Sequence, residues 1–178
     1  MGKQKNDILL VDDDLSDIEL ILRAFKACGV SSKISYVTDG LQAIAYLLGE
    51  GIYSDRDQYP YPSFIITDLK MQGIDGLGVL EHLKANPAWA IIPTVVLSSS
   101  EDPDDIRNAY LLGASSYHVK PDKYENLCYL VKTLYAYWMT CAIPDVDITG
   151  KQLITDSKGK LGERFKQPVQ SVQTRVQK

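Results

Sequence analysis

Ile8-Leu9-Leu10-Val11-Asp12-Asp13-Asp14 runs four apolar residues straight into three carboxylates. A continuous apolar run this short, with no alternation, reads as a strand buried on both faces. Downstream, Ile18, Ile21, Leu22 and Phe25 recur at helical spacing and face a core, and Gly29 fits the helix stop. The unit is therefore strand, acidic turn, helix.

The same rhythm repeats four times. A second strand is expected at Ile34–Val37, followed by Asp39 as a helix cap and an apolar face of Ile44, Leu47 and Leu48. Phe64–Thr67 is the third strand, and Asp75 caps a helix through Leu77, Leu80 and Leu83. Thr94–Leu97 is the fourth. Asp102-Pro103 then reads as N-cap and first helical residue, where proline lacks only an N–H that would be orphaned anyway. Tyr117–Val119 is the fifth strand, leading to a long helix from about Tyr124 to Met139. Five strands alternating with five helices predict an α/β fold, a doubly wound parallel sheet covered on both faces. Such sheets bind ligands at the carboxyl ends of their strands.

Two kinds of segment fall outside this rhythm. Residues 49–62 form a polar, tyrosine-rich loop, longer than the usual α/β connection of about 2–6 residues. Residues 1–6 and 141–178 are expected to be an N-terminal tail and a mobile C-terminal extension flanking a 7–140 domain. Within the extension, Val169, Val172 and Val176 follow Pro168 at helical spacing.

The net charge of −4 hides an asymmetry. Residues 151–178 hold seven basic and two acidic side chains, a net +5, which leaves −9 for residues 1–150. An acidic body argues against a nucleic-acid-binding body and leaves the basic tail open to an anionic partner or to the body itself. Cys28, Cys128 and Cys141 are odd in number and widely spaced, as expected of free thiols in a reducing cytosol. There is no apolar run of transmembrane length and no apolar stretch in Met1–Asp7, so a cytoplasmic location is expected, with no membrane partner.

The strand ends carry the chemistry. Asp12, Asp13 and Asp14 follow the first strand, Asp68 the third, Ser98, Ser99 and Ser100 the fourth, and Lys120-Pro121 the fifth. Asp12–Asp14 have a plain reading as helix capping, but it leaves Asp68 at the same rim unexplained. Several carboxylates within a few ångströms repel one another and call for a cation or raised pKa values. A hard divalent ion such as Mg²⁺ takes one or two carboxylates, waters and a substrate phosphate, which leaves one carboxylate to act as a nucleophile. Lys120 is placed to hold a phosphoryl oxygen as a point charge, and Ser98 to hydrogen-bond another.

Four motifs, Ile-Leu-Leu-Val-Asp-Asp-Asp (8–14), Ile-Thr-Asp-Leu-Lys-Met-Gln-Gly-Ile-Asp-Gly (66–76), Val-Val-Leu-Ser (95–98) and Gly-Ala-Ser-Ser-Tyr-His-Val-Lys-Pro (113–121), resemble in order the receiver domain of bacterial response regulators, over about residues 7–140. The resemblance implies a flavodoxin-like sheet of order 2-1-3-4-5 and a two-component signalling protein rather than an enzyme, with Mg²⁺-dependent self-phosphorylation and dephosphorylation. It implies Asp68 as phosphoacceptor. Asp12, Asp13, Asp68 and the Lys70 carbonyl would be metal ligands, Ser98 and Lys120 would contact the phosphoryl group, and Ser98 and Tyr117 would be the switch residues. The partner it implies is a sensor histidine kinase. The long loop and the Tyr-Ala-Tyr-Trp-Met end of the last helix resemble the single-domain regulators associated with cyanobacterial and bacterial phytochromes.

The family often has a cis bond at the position of Lys120-Pro121, and proline where Gln72 stands, so the loop at Gln72 is expected to be looser. Lys70 and Ser100 sit where the family tunes phosphate lifetime. On the last helix, Tyr124, Cys128, Tyr135 and Trp138 extend the apolar surface. They serve either a thicker core or a homodimer through helix 4, strand 5 and helix 5. The alternative function is an unphosphorylated pseudo-receiver acting as an interaction module, against which the Asp68, Asp13, Ser98 and Lys120 set argues. A haloacid-dehalogenase-type phosphatase needs an acid two residues after its nucleophile, where Lys70 stands. Nucleotide-binding glycine motifs are absent. The segment after the last helix is too short for a DNA-binding domain with its own core. His82 and His118 lack ligand spacing.

Overall fold

The computed structural model describes residues 7–141. Expectations for residues 1–6 and 142–178, including the Val169, Val172 and Val176 spacing, lie outside the described residues. The elements run β1 (Ile8–Val11), α1 (Leu15–Ala27), β2 (Ile34–Val37), α2 (Gly40–Leu48), β3 (Phe64–Thr67), α3 (Gly76–Ala85), β4 (Thr94–Ser98), α4 (Pro103–Leu111), β5 (Ser116–Val119) and α5 (Tyr124–Thr140). All pairings are parallel and the sheet order is β2-β1-β3-β4-β5.

The central strands β1, β3 and β4 are buried along their whole length because both faces are covered. Ile8 and Leu10 of β1 join Phe64, Ile66, Val95 and Leu97 beneath α1 and α5. Leu9 and Val11 point the other way, with Ile65, toward α2 and α3. Successive residues of a strand face opposite sides, so an unbroken apolar run serves two cores. Each fully buried apolar side chain contributes about 1.5–3 kcal/mol of transfer free energy.

Caps form as expected at Asp39, Asp75 and Asp102, and within the Asp12–Asp14 run it is Asp14 that caps α1. Asp14, Asp39, Asp75 and Asp102 each accept hydrogen bonds from backbone N–H groups in the first turn of the helix they precede. The face of α2 is a correction. Its buried residues are Gly40, Ala43, Tyr46 and Leu47, while Leu48 is exposed and Ile44 only half-buried. Helix α2 has two apolar stripes, and the long loop decides between them. Tyr46 donates to the Pro60 carbonyl and its ring packs with Tyr53 and Tyr59. Arg56 donates to the carbonyls of Tyr46, Leu47 and Tyr59. The loop includes a 3-10 turn at Gly51–Ser54 and covers the tyrosine side of the helix.

The α5 aromatics thicken the core. Trp138 stacks on Phe64 with ring centroids 6.3 Å apart, and the Tyr135 hydroxyl lies 3.0 Å from Ser32 Oγ. Arg23 lies over the Tyr124 ring, and Cys28 Sγ donates to the Cys128 carbonyl. Cys28, Cys128 and Cys141 are free thiols. No helix among the described residues is long and apolar enough to cross a membrane.

Candidate functional site

Strand register assembles the site. Val11 pairs with Thr67, so Asp12 and Asp68 leave adjacent strands side by side. Ser98 pairs with Val119, and the next residue, Lys120, donates its backbone N–H to the Ser98 carbonyl. The β3–α3 loop closes tightly behind Asp68. A Cβ on Gly76 would stand 2.2 Å from the Asp68 carbonyl oxygen, so only glycine lets α3 begin so near the site.

Asp12 is 1 % exposed and Asp68 is 7 % exposed, while Asp13 lies at the surface. One carboxylate oxygen of each lies within 4.8 Å of the others. Lys120 Nζ is 2.8 Å from Asp12 Oδ2 and 3.5 Å from Asp68 Oδ2. It is also 2.6 Å from Asp17 Oδ2. Asp68 Oδ1 accepts from the Leu69 N–H at 2.6 Å, and Asp12 Oδ1 from the Asp14 N–H at 3.0 Å. Burial raises the Asp12 pKa above the ordinary value, against the lowering effect of its hydrogen bond from Lys120. For Lys120, burial pulls downward but is outweighed by the hydrogen bonds to Asp12 and Asp17 and the nearby Asp68 charge, so its pKa rises. The ammonium thus stays charged.

Asp12, Asp13 and Asp68 converge with one ammonium, Lys120, against two of them, which leaves an excess of negative charge. Their donors are all hard oxygens, the set a small divalent cation prefers. Asp12, Asp13 and Asp68 therefore fit a divalent metal. His82 and His118 belong to no metal-capable cluster among the described residues.

The remaining expected residues lie around this centre. Ser98 is fully buried at the end of β4, and its Oγ accepts from the Ser100 N–H. The Tyr117 hydroxyl donates to the Ser100 carbonyl at 2.8 Å. Lys70 lies in the β3–α3 loop, with Nζ 2.6 Å from Asp105 Oδ2, and Ser100 Oγ donates to the same oxygen. These bonds lower the Asp105 pKa, and the hydrogen bond to Asp105 raises that of Lys70.

Two expectations change. No cis peptide occurs among the described residues, so Lys120-Pro121 is trans; the X–Pro preference between isomers is only about 0.5–1 kcal/mol. The loop at Gln72 is tied rather than loosened, because the Gln72 N–H donates to Asp13 Oδ2 at 3.1 Å. Proline there would have no N–H to give. Beside it an open groove of about 510 Å³ is lined by Asp13, Thr38, Asp39, Leu41, Gln72, Gly73 and Ile74.

The profile described as "Response regulator receiver domain" matches residues 8–132. The chain belongs to the response regulator receiver family. It is a signalling protein of phosphorylation-based two-component systems rather than a classical enzyme. It is similar to the probable methanogenesis regulatory protein FilR2 of Methanothrix harundinacea, 37% identical over 133 residues, covering 74% of this chain and 83% of the relative. It is also similar to response regulator Rcp1 of Synechocystis, 33% identical over 138 residues, covering 77% and 92%. The crystal structure of the phosphorylated cyanobacterial phytochrome response regulator RcpA aligns with TM-score 0.72 and 35% identity, over 79% of this chain and 99% of that one.

Asp17 is the site residue that sequence reasoning missed. It stands three residues after the Asp14 cap, in the first turn of α1, where an acid has the ordinary job of meeting the helix dipole. Nothing in that position announces a lysine 103 residues away.

Proposed function

We propose that Asp68 of this receiver accepts a phosphoryl group from the phosphohistidine of a sensor histidine kinase. An Asp68 oxygen attacks phosphorus, the P–N bond breaks, and the departing imidazole nitrogen keeps the electron pair and takes up a proton. The observation that carries this is a nearly buried carboxylate at the end of a central strand, with two further carboxylates and an ammonium converging on it. Asp12, Asp13, Asp68 and the Lys70 carbonyl would hold Mg²⁺, which when bound neutralises charge on the phosphoryl oxygens. The Rcp1 relative has been crystallised in a Mn(2+)-bound form.

Lys120 offers its ammonium and Ser98 its hydroxyl to the phosphoryl oxygens. Ser98 and Tyr117 flank the β4–α4 loop, so a phosphoryl group that draws on Ser98 biases the surface of α4, β5 and α5. The bias acts only through contacts that differ between the two states. Residues 7–140 are the receiver domain and 141–178 an extension, and the chain works in the cytoplasm.

Incubation with Mg²⁺ and a small acyl phosphate, read by intact mass, tests the core of this reading. The wild type gains one phosphoryl group and Asp68→Asn gains none; equal gain in both overturns it. The relatives also favour a phytochrome-type kinase as donor. Transfer from such a kinase should outpace transfer from an unrelated sensor kinase, and equal rates remove the link. Exposed Tyr110 and Leu111 on α4, Val119 on β5 and Tyr129 on α5 favour a homodimer through that face. Sedimentation finding a monomer both with and without phosphorylation eliminates it.

A further inference from the structure

Among the described residues the Lys120 ammonium makes two hydrogen bonds, and neither goes to Asp68. Its Nζ lies 2.6 Å from Asp17 Oδ2 and 2.8 Å from Asp12 Oδ2, with Asp68 Oδ2 farther off at 3.5 Å. An ammonium has three protons to give. Two are spent on Asp12 and Asp17, and the Asp68 contact is an ion pair without hydrogen-bond length. Asp12 leaves β1 at a depth where its side chain is 1 % exposed. Asp17 instead stands on the first turn of α1, 35 % exposed, and reaches the same nitrogen from the solvent side.

We infer that Asp17 is a positioning residue that restrains Lys120 short of Asp68, so that a phosphoryl group must compete with Asp17 for the lysine. This deepens the reading of Asp68 as phosphoacceptor and rests on it. Phosphoryl oxygens and the Asp17 carboxylate are rival anions for one ammonium. Asp12 is less free to play that part, being a buried metal-ligand candidate whose remaining oxygen is held by the Asp14 N–H. Weakening of that contact also loosens a direct tie between the start of α1 and the residue after β5. The first turn of α1 thereby becomes part of what phosphorylation changes, alongside Ser98 and Tyr117. Asp17 touches no reacting atom; it acts through Lys120.

Beryllium fluoride in the presence of Mg²⁺ serves as a non-hydrolysable phosphoryl mimic, with affinity read by calorimetry on the full chain. Removing the rival charge in Asp17→Asn should tighten binding by about two- to fivefold, the scale of a partly exposed ion pair. Asp17→Glu, which keeps the charge, should stay near wild type. In a Lys120→Met background the Asp17→Asn change should have no effect, a coupling that a merely structural role would not produce. Asp17→Ala reads the same contrast should the asparagine variant fold poorly. Unchanged or weaker binding in Asp17→Asn and Asp17→Ala, or an equal shift with and without Lys120, overturns the inference while leaving the Asp68 reading intact. A wild type that binds no beryllium fluoride overturns both.

Discussion

The carboxyl ends of the strands and the body of the molecule are built on opposite principles. At the carboxyl ends lie Asp12, Asp13, Asp14 and Asp17 after β1, Asp39 after β2, and Asp68 and Asp75 after β3. Glu101, Asp102, Asp104 and Asp105 follow β4, and Asp122 and Glu125 follow β5; only Lys70, Lys120 and Lys123 answer them. Elsewhere in the described chain acids and bases are nearly balanced, and rings do the work: Phe64 on Trp138, and Tyr46 among Tyr53 and Tyr59. Excess negative charge at one end is the cost of a site suited to a divalent cation. Helix N-termini converge there too, and their unpaired N–H groups offset part of it. Aromatic packing and the charged chemistry thus draw on separate parts of the molecule.

The sharpest way to break this contrast is Asp68→Asn, expected to abolish phosphoryl uptake from an acyl phosphate while the chain stays folded, checked by intact mass and circular dichroism. Lost folding would show that the site end also carries stability. At the other extreme, Phe64→Ala should destabilise the fold by about 3–5 kcal/mol, measured by urea unfolding, because it opens a cavity under Trp138. Gln72→Pro has an intermediate effect: it removes the N–H that holds Asp13, and Mg²⁺ affinity measured by calorimetry should fall by a few-fold. Tighter binding would show that the bond competes with the metal instead of orienting its ligand.

Cap residues share the charged end without sharing its chemistry. Asp75→Ala should cost about 1 kcal/mol of stability by thermal unfolding, since its carboxylate accepts the Gly78 N–H. The smallest effect concerns His118 on β5, whose pKa is lowered by burial and whose Nε2 is buried with no hydrogen-bond partner among the described residues. A group whose folded pKa lies below its unfolded value protonates first in the unfolded chain. Its contribution is intact above the unfolded value, about 6.5, and is lost as pH falls below it. Denaturation midpoints followed downward through that range should decline less steeply in His118→Phe than in wild type; parallel curves would remove His118 from the account.

Much of this was legible in the linear chain. The β1, β2 and β3 runs form strands at the expected residues, and the Asp39, Asp75 and Asp102 caps sit where they were expected. Short apolar runs and N-caps are local signals, set by neighbours within one turn. The residues around the site, Asp12, Asp13, Asp68, Ser98 and Lys120, were visible because each directly follows or ends a strand, and parallel strands deliver such residues to one edge. Helix α2 was less legible: with apolar residues on two stripes, periodicity does not choose, and Tyr46 won through its ring contacts with the long loop.

By itself, then, the sequence determined the alternation of strands and helices, the edge on which the polar residues gather, and the type of chemistry they offer. Tertiary structure alone decided how three consecutive aspartates divide the work. Asp12 is buried against Lys120, Asp13 is held at the surface by the Gln72 N–H, and Asp14 turns back to cap α1. It alone brought Asp17 to Lys120. The reason is physical: neighbouring residues of one type in a turn share composition and local propensity, and only the direction each side chain takes in the packed chain separates a helix cap from a residue that could hold a metal and from a partner of Lys120.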